Sequence, residues 1–317
     1  MQNEEAKTRI LEKLRREAGP AILSALKDPS VVEILRNADG SLWIEHLGQK
    51  LQSTSHLETI ACENLIATIS SFHGLITNKE NPILECEFPL DGSRFEAILP
   101  PVVASPVFAL RKRALKIHTL SDYTTAEIMT QSQATAIKAA VLSRKNILVV
   151  GGTGTGKTTL TNAIINEITE LTPDHRLVII EDTVEIQCNA QNAVQLKTTE
   201  TKTMNHLLRA TLRLRPDRII VGEVRGGEAL SLLKAWNTGH PGGIATIHAN
   251  DAKGGLTRLE QLISEAAPLS PLTKNLIAEA VDLVVVISKI HGHRKITEMS
   301  LIHGDRNDNH YHLEPLT

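Results

Sequence analysis

The sequence predicts two domains: a smaller α+β domain, followed by an α/β domain in which a mostly parallel sheet is flanked by helices. Its 317 residues allow two domains at roughly 100–200 residues each. From residue 132 onward, short apolar runs alternate with helical segments, which is typical of a parallel sheet covered by helices. The first of these runs leads into a glycine-rich phosphate-binding motif. We therefore place the first domain at residues 1–118, a linker at 119–131 and the second domain at 132–317.

The first domain begins with a helical pattern and continues with strands. Residues 3–36 predict helices, because Ile10, Leu11 and Leu14 recur at helical spacing and Gly19-Pro20 interrupts the pattern. Further elements are a β-like run, a helix and a second β region that closes at a Pro-Pro pair; they cover residues 41–45, 56–72, 85–88 and 94–99. The stretch 116–130 has the polar Thr, Ser and Asp content of a linker.

Composition excludes several classes of function. Lys and Arg number 34 against 36 Asp and Glu, and this net charge of −2 argues against a protein that coats DNA through its whole surface. Aromatic residues make up only 3% of the chain, and all four Phe fall in the first domain, so the second domain offers few platforms for stacking bases.

The sequence also predicts the cellular setting. Three widely spaced cysteines suggest neither a disulfide framework nor a zinc site, and they fit a reducing cytosol. The polar, acidic start of the chain shows no secretory signal pattern, and no segment reaches the roughly 18–20 apolar residues that span a bilayer. We therefore expect any membrane role to be peripheral.

A complete G-x-x-x-x-G-K-[ST] motif follows the first strand of the second domain. Glycines in such a loop let backbone N–H groups surround an anion at the positive end of a helix. Lys157 would supply a positive charge to the β- and γ-phosphates, and the Thr158 hydroxyl would ligate Mg²⁺. The predicted strands are 147–150, 177–180, 219–221, 244–247 and 283–287, and the predicted nucleotide-binding loop comprises Gly151, Gly152, Thr153, Gly154, Thr155, Gly156, Lys157, Thr158 and Thr159.

Acidic residues and histidines follow the next strands. The second predicted strand leads to Glu181, Asp182 and then Glu185, and the third leads to Gly222-Glu223. A glutamate beside a phosphate-binding loop can orient Mg²⁺ or deprotonate water, whereas Asp182 could equally cap the following turn. His248, after the fourth strand, is a candidate sensor of the γ-phosphate, and His240 is an even choice between a functional and a structural residue. The carboxyl-terminal histidines form no recognised metal-ligand set.

Arginines are the remaining charged candidates. Arg209 and Arg213 are four residues apart on a predicted helix that ends before Pro216, and Arg215 follows them. Arginines near a triphosphate can stabilise transition-state charge from the same chain or from an adjacent one, although a surface helix could also carry them. The first domain adds Arg94 and the cluster Arg111-Lys112-Arg113.

Four motifs in this order resemble the secretion/traffic ATPase superfamily. They are GGTGTGKTT, IIEDTVEIQ, RLRPDRIIVGEVRGGEAL and TGHPGGIATIHANDA, which are similar to its Walker A, Asp box, atypical Walker B and His box. Within the superfamily, the chain looks most similar to conjugal-transfer ATPases of the TrbB type, relatives of the type IV secretion motors. The resemblance covers most of the chain and is weaker in the first domain.

The resemblance implies a RecA-like P-loop domain that uses ATP and Mg²⁺ within a homohexameric ring. Such rings lie at the cytoplasmic face of the bacterial inner membrane, held there by components of a secretion or conjugation complex, and nucleic acid is not expected as a direct stable ligand. By position, Glu181 would be the Asp-box residue that orients Mg²⁺ and water. Glu223 would be the general base and His248 the His-box residue, while Arg94 and Arg111 would reach the nucleotide. The usual Walker B aspartate is missing at Gly222, which leaves open which glutamate is the base; Glu223 is preferred.

Three other functions remain compatible with the sequence. A type IV pilus or type II secretion motor would keep the same chemistry in another machine. A helicase-like ATPase stimulated by nucleic acid is disfavoured by the charge and aromatic content, and a regulatory scaffold would bind nucleotide and barely hydrolyse it.

Overall fold

The protein consists of two compact units, Met1–Leu115 and Lys116–Thr317. The computed structural model describes residues 2–112, 117–199, 201–268, 273–305 and 310–316. Arg113, which the sequence places in a basic cluster, lies outside these described residues, as does Lys116 at the start of the polar stretch.

The first unit combines two helices with an antiparallel sheet. Its elements are α1 (Gln2–Lys27), β1 (Val31–Arg36), β2 (Ser41–His46), β3 (Gln52–His56), α2 (Thr59–Phe72), β4 (Ile83–Glu87), β5 (Arg94–Ile98) and β6 (Val107–Arg111). The strands lie in the order β3-β2-β1-β6-β5-β4, with every neighbouring pair antiparallel. The α+β class predicted for this region is therefore confirmed.

One element of the first unit corrects the sequence analysis. Residues 31–36 form a strand, whereas the helical prediction extended to residue 36. The chain turns at Asp28, whose carboxylate accepts hydrogen bonds from the backbone and the hydroxyl of Ser30. Beyond that turn β1 pairs with both β2 and β6, so pairing in the sheet overrides the local helical pattern.

The second unit is built on an eight-stranded sheet. Its elements are α3 (Leu120–Thr125), α4 (Gln131–Leu142), β7 (Ile147–Val150), α5 (Lys157–Leu171), β8 (Leu177–Glu181), β9 (Ala193–Lys197), α6 (Met204–Thr211), β10 (Arg218–Val221), α7 (Glu228–Asn237), β11 (Ile244–Ile247), α8 (Ala252–Ala266), α9 (Thr273–Ala280), β12 (Leu283–Ile290), β13 (His293–Asp305) and β14 (His310–Pro315). The strand order is β14-β13-β12-β7-β11-β10-β8-β9.

Pairing in this sheet confirms the predicted fold class. Neighbouring strands from β12 through β9 are parallel, while β13 and β14 extend the sheet by antiparallel pairing. All five predicted strands are present within a few residues; β9, β13 and β14 were not predicted. The central strands are completely buried, as expected for a parallel sheet with helices on both faces.

The segment predicted as a linker belongs to the second unit's core. It contains α3, which begins with a capping box between Thr119 and Asp122. Leu120, Tyr123 and Met129 are buried together with residues of α4 and α5. The polar composition of 119–131 thus reflects helix caps and exposed positions around three buried anchors.

Alternate residues of the strands belong to two separate apolar cores. Val149 and the other apolar side chains on one face of the sheet pack against α3, α4 and α5. Val150, with the rest of the other face, packs under α6, α7, α8 and α9. Within the described part of the chain, no helix combines the length and apolar character needed to cross a bilayer.

Candidate functional site

The glycine-rich loop joins the end of β7 to the start of α5. Gly154 and Gly156 have φ values of +70° and +102°, a region that favours glycine. The Lys157 side chain turns back into the loop, where Nζ donates to the carbonyl oxygens of Gly151 and Gly152, each at 3.0 Å. A charged ammonium group is therefore held inside a ring of backbone at a helix N-terminus, an arrangement suited to phosphate.

A chain of charged side chains connects this lysine to the neighbouring strands. Nζ of Lys157 lies 3.3 Å from both ring nitrogens of His248. Nε2 of His248 lies 2.6 Å from Oε1 of Glu223. The structure therefore brings together three predicted residues from the ends of β7, β11 and β10, because the carboxyl ends of parallel strands share one edge of the sheet.

Arg225 extends this chain at its exposed end. Its Nε and Nη2 atoms donate to Oε2 of Glu223 at 2.9 and 2.6 Å, and Nη1 lies 3.9 Å from Oδ2 of Asp182. Burial disfavours its charged form, but the hydrogen bond and negative charge of Glu223 outweigh burial and raise the pKa of Arg225. Both oxygens of the Glu223 carboxylate thus have a cationic or potentially cationic neighbour.

Glu181 occupies a different position from the one expected of a water-orienting residue. Its side chain is 3% exposed, and Oε1 accepts hydrogen bonds from the backbone N–H groups of Glu185 and Ile186 at 2.9 and 2.8 Å. A Cβ atom on Gly222 would lie 2.9 Å from Cγ of Glu181. The missing Walker B aspartate therefore has a steric reason: Glu181 fills the space that a side chain at position 222 would need.

Glu185, which the sequence analysis named as a carboxylate after Glu181 but not as a metal ligand, lies beside the glycine-rich loop. Its Oε2 accepts a hydrogen bond from the Thr158 hydroxyl at 3.2 Å. A hydroxyl and a carboxylate are hard oxygen donors of the kind that Mg²⁺ prefers, and together with the phosphates they fit that ion. Groups of three or more His, Cys, Asp or Glu able to hold a metal by themselves are not found among the described residues.

The two candidate histidines have separate places. His248 is part of the chain of charges at the carboxyl edge of the sheet. His240 lies at the opposite edge, where Nδ1 is 3.1 Å from the carbonyl oxygen of Pro216, just before β10. The structural reading of His240 is therefore the one that its contacts support.

The arginines fall into two groups. Arg209 on α6 and Arg213 and Arg215 after it are exposed, and the described contacts do not join them to the glycine-rich loop. In the first unit, Arg94 and Arg111 face each other directly across β5 and β6. Their proximity to each other follows from the strand register; a role at a nucleotide stays a prediction.

Two side chains near the loop were missed by sequence reasoning. Arg225 could have been suspected from its spacing, since residues i and i+2 of an extended chain lie on one side. Arg294 on β13 packs against Gly156: a Cβ atom there would lie 3.2 Å from Cδ and Nε of the arginine. No local signal marks Arg294, because 138 residues separate it from the glycine and only the sheet brings them together.

Comparisons with known proteins agree with this architecture. Residues 16–303 match the family described as type II/IV secretion system protein. The chain is 50% identical over 306 residues to the conjugal transfer protein TrbB of Rhizobium radiobacter, covering 96% of this chain and 94% of that one. It is 30% identical over 308 residues to VirB11 of Agrobacterium fabrum, covering 86% and 88%.

Solved structures give the same picture at the level of the fold. The VirB11 ATPase of the Brucella suis type IV secretion system, in complex with sulphate, has a TM-score of 0.50 and 26% identity over 94% of this chain and 96% of that one. The pilus retraction motor PilT with bound ADP has a TM-score of 0.66 and 22% identity over 93% and 82%. The similarity to PilT shows a common fold.

Proposed function

Because the chain belongs to the type II/IV secretion system protein family, we propose that it is the Mg²⁺-dependent ATPase motor of a type IV secretion or conjugation apparatus. Family membership and the phosphate-binding loop make it an ATP hydrolase. The identity of 50% with a conjugal transfer protein favours conjugation over a pilus or type II secretion machine. ATP binding and hydrolysis would drive movement of the first unit against the second for pilus assembly or for DNA or protein transfer.

The linked side chains of Lys157, His248 and Glu223 support this proposal best. The γ-phosphate would replace the loop carbonyls as the partner of Lys157 Nζ. His248, which lies between Lys157 and Glu223, would then respond to the presence of that phosphate. Glu223 would accept a proton from the attacking water through Oε1, the oxygen that faces His248.

The carboxylates that follow β8 would have separate roles in metal binding and positioning. Thr158 and Glu185 would hold Mg²⁺, which supplies charge neutralisation at the phosphates when it is bound. Glu181 would act as a positioning residue, because its Oε1 holds the backbone N–H of Glu185. This changes the predicted assignment, in which Glu181 itself oriented the metal and its water.

The motor is expected to work as a homohexamer on the cytoplasmic face of the bacterial inner membrane. Components of the membrane complex would hold it there. Arg94, Arg111, Arg209 and Arg213 are proposed to supply positive charge to nucleotides, some of them across subunit boundaries. Arg209 and Arg213 are exposed, and Arg94 and Arg111 lie opposite each other on neighbouring strands. Both placements are compatible with that role.

Two substitutions test the chemistry. Lys157→Ala should abolish ATP hydrolysis, since it removes the charge at the centre of the loop. Glu223→Gln should keep nucleotide binding and lower kcat by roughly 10²–10⁴-fold, the range that a general base contributes. Glu170→Gln, an exposed change on α5, serves as the matched control. Normal turnover by Glu223→Gln would show that Glu223 is not the base.

Assembly is tested by the solution mass with and without nucleotide. A ring that forms or tightens with ATP supports the motor and the arginines that act between subunits. A protein that remains monomeric at every nucleotide concentration contradicts the motor.

A further inference from the structure

The β8–β9 segment (residues 182–192) is held in place through its main chain. Three consecutive backbone N–H groups, those of residues 185–187, each donate to an oxygen of a buried side chain. Oε1 of Glu181 accepts the first two of these hydrogen bonds, and Oδ1 of Asn162 accepts the third at 3.1 Å. The segment lies outside the helices and strands, so side-chain acceptors fix a backbone that no regular element contains.

Asn162 is the acceptor that the helix of the phosphate-binding loop supplies. It lies in the second turn of α5 and is 2% exposed. Thr158, whose hydroxyl donates to Oε2 of Glu185 at 3.2 Å, precedes it by four residues, and residues four apart lie on the same face of a helix. One face of α5 therefore holds the β8–β9 segment at two points. Thr158 meets the side chain of Glu185, and Asn162 meets the main chain of Gln187, two residues further on.

Two further contacts fix the middle of the same segment. The side chain of Ile186 is 3% exposed and belongs to the apolar core that includes Leu160 and Ile164 of α5. The carbonyl oxygen of Ile186 accepts a hydrogen bond from Nε2 of Gln195 on β9 at 3.0 Å. The backbone is thus fixed here on both its N–H and its C=O side, while Glu185 stays partly exposed beside Thr158.

A fixed backbone matters at this position because Mg²⁺ tolerates little distortion of its ligands. It requires near-ideal octahedral coordination, with oxygens at roughly 2.0–2.1 Å. Thr158 is placed by α5 and Glu185 by the β8–β9 segment, so the spacing of their oxygens depends on how the segment is attached to the helix. Glu181 attaches it from the end of β8, whereas Asn162 attaches it from the same helix that carries Thr158.

We infer that Asn162 is a positioning residue for the metal, and that its Oδ1 atom sets the spacing between Thr158 and Glu185. The inference rests on the proposed function, in which these two residues hold Mg²⁺. Asn162 acts through the main chain of Gln187 and hence through Glu185, because its Oδ1 atom is engaged by that N–H group. Groups that hold metal ligands in place typically change metal affinity by about 10–100-fold when they are removed.

Binding of Mn²⁺ to protein loaded with the non-hydrolysable analogue AMP-PNP measures this role without turnover. Free Mn²⁺ is followed by electron paramagnetic resonance. Asn162→Ala should weaken Mn²⁺ binding about tenfold and leave AMP-PNP binding in EDTA within about twofold of the wild type. Thr161→Val is the matched control and should change neither affinity. Thr161 is the fully buried neighbour on α5, and its hydroxyl has no hydrogen-bond partner among the described residues.

A double-mutant cycle tests whether Asn162 acts through Glu185. Glu185→Ala alone should weaken Mn²⁺ binding at least about tenfold. Adding Asn162→Ala should weaken it by no more than about twofold further, because the carboxylate that Asn162 positions is then absent.

Steady-state hydrolysis gives a second readout of the Asn162 role. Asn162→Ala should raise the Mg²⁺ concentration needed for half-maximal rate about tenfold, with kcat at saturating Mg²⁺ within about threefold of the wild type. A loss of stability alone would not move the metal requirement in this way. Asn162→Leu, which removes the acceptor but keeps the side-chain volume, should behave like Asn162→Ala and replaces it if the smaller side chain prevents folding.

Two results would overturn the inference and leave the metal ligands as proposed. One is wild-type Mn²⁺ affinity in both Asn162→Ala and Asn162→Leu. The other is a full additional tenfold loss when Asn162→Ala is combined with Glu185→Ala, since Asn162 would then act independently of that carboxylate. Unchanged Mn²⁺ binding in Glu185→Ala itself would instead refute the metal assignment of the proposed function, and the inference would fall with it.

Discussion

The two edges of the parallel sheet in the second unit each carry an arginine-centred polar network, and the two networks are built differently. At the amino-terminal edge, Arg218 is completely buried. It donates to the carbonyl oxygens of Gly242 and Val141 at 3.1 and 2.8 Å and to Nδ1 of His175 at 3.0 Å. Two of its partners are backbone carbonyl groups that the fold itself holds in place.

At the carboxyl-terminal edge, the partners are side chains. Arg225 is 52% exposed and meets the carboxylate of Glu223, whose other oxygen faces a 45% exposed histidine, His248. The contacts among Arg225, Glu223 and His248 are all between side chains, so a change of partner breaks no backbone hydrogen bond. Exchangeable partners are what a catalytic cycle requires.

The pKa values of Arg218 and Arg225 are shifted in opposite directions. Burial lowers the pKa of Arg218 to about 10; the positive charge of Arg144 also lowers it, and the negative charge of Asp217 opposes the shift. The pKa of Arg225 is raised by its carboxylate partner. A buried arginine among carbonyl groups supports the fold, whereas a half-exposed arginine among carboxylates is free to change partners, as a functional site requires.

Replacing Arg218 is the change with the largest expected effect. Arg218→Met keeps most of the side-chain volume but leaves the carbonyl group of Gly242 and Nδ1 of His175 without the donor that Arg218 supplies. Unfolding free energy should fall by about 3 kcal/mol or more, since each buried unsatisfied acceptor costs roughly 1–3 kcal/mol. Urea unfolding measures this, with the fluorescence of the buried Trp236 reporting on the second unit in a Trp43→Phe background.

Arg213→Met is the control for that experiment, because Arg213 is exposed. It should shift the unfolding free energy by no more than about 0.5 kcal/mol. An Arg218→Met protein as stable as the wild type would break the distinction between the two edges.

Replacing Arg225 should affect turnover and leave stability unchanged. Arg225→Gln frees the Glu223 carboxylate to leave the orientation in which Oε1 faces His248. We expect kcat to fall roughly ten- to a hundredfold, because a displacement of about 1 Å in a reacting group can cost this much. KM and the urea midpoint should stay close to their wild-type values, since exposed ion pairs contribute little to stability.

Arg225→Lys sharpens the test, because it keeps the charge but not the two donors that meet one oxygen. It should recover part of the lost kcat. A rise in KM at constant kcat would identify Arg225 as a substrate contact, and a rise in kcat would identify it as an inhibitory one; either result contradicts a positioning role.

The sequence predicted those parts of the second unit in which local pattern and fold agree. Strands such as Ile147–Val150 are short and wholly apolar, and the glycine-rich loop has a fixed spacing, so both can be recognised from a few residues. The ends of parallel strands share an edge, which was enough to bring His248 and Glu223 together. β13 and β14 escaped prediction because their alternating polar residues resemble an irregular carboxyl-terminal tail.

The features that the sequence did not reveal depend on contacts between distant residues. Residues 31–36 have an apolar pattern that fits a helix or a strand, and only pairing with β2 and β6 decides between them. For Glu181, the sequence shows its position after a strand but not the two backbone N–H groups that its side chain meets. Arg294 lies beside Gly156 only through the order of strands in the sheet.

The smallest of these effects is the pH dependence contributed by His175 at the amino-terminal edge. Burial lowers the pKa of His175, and the positive charges of Arg218 and Arg144 lower it further. The folded protein therefore keeps the ring neutral, as an acceptor for Arg218 Nε, at pH values where the unfolded chain already binds a proton, near pH 6.5 and below. This contribution to stability is present above about pH 6.5 and is lost as the pH falls through the lowered pKa of the folded state. Urea midpoints at pH 7.5 and 5.5 should fall more in the wild type than in His175→Gln, whose side-chain oxygen accepts the same hydrogen bond without titrating. Equal changes in the two proteins would show that burial and the neighbouring arginines do not disfavour protonation of His175 in the folded protein.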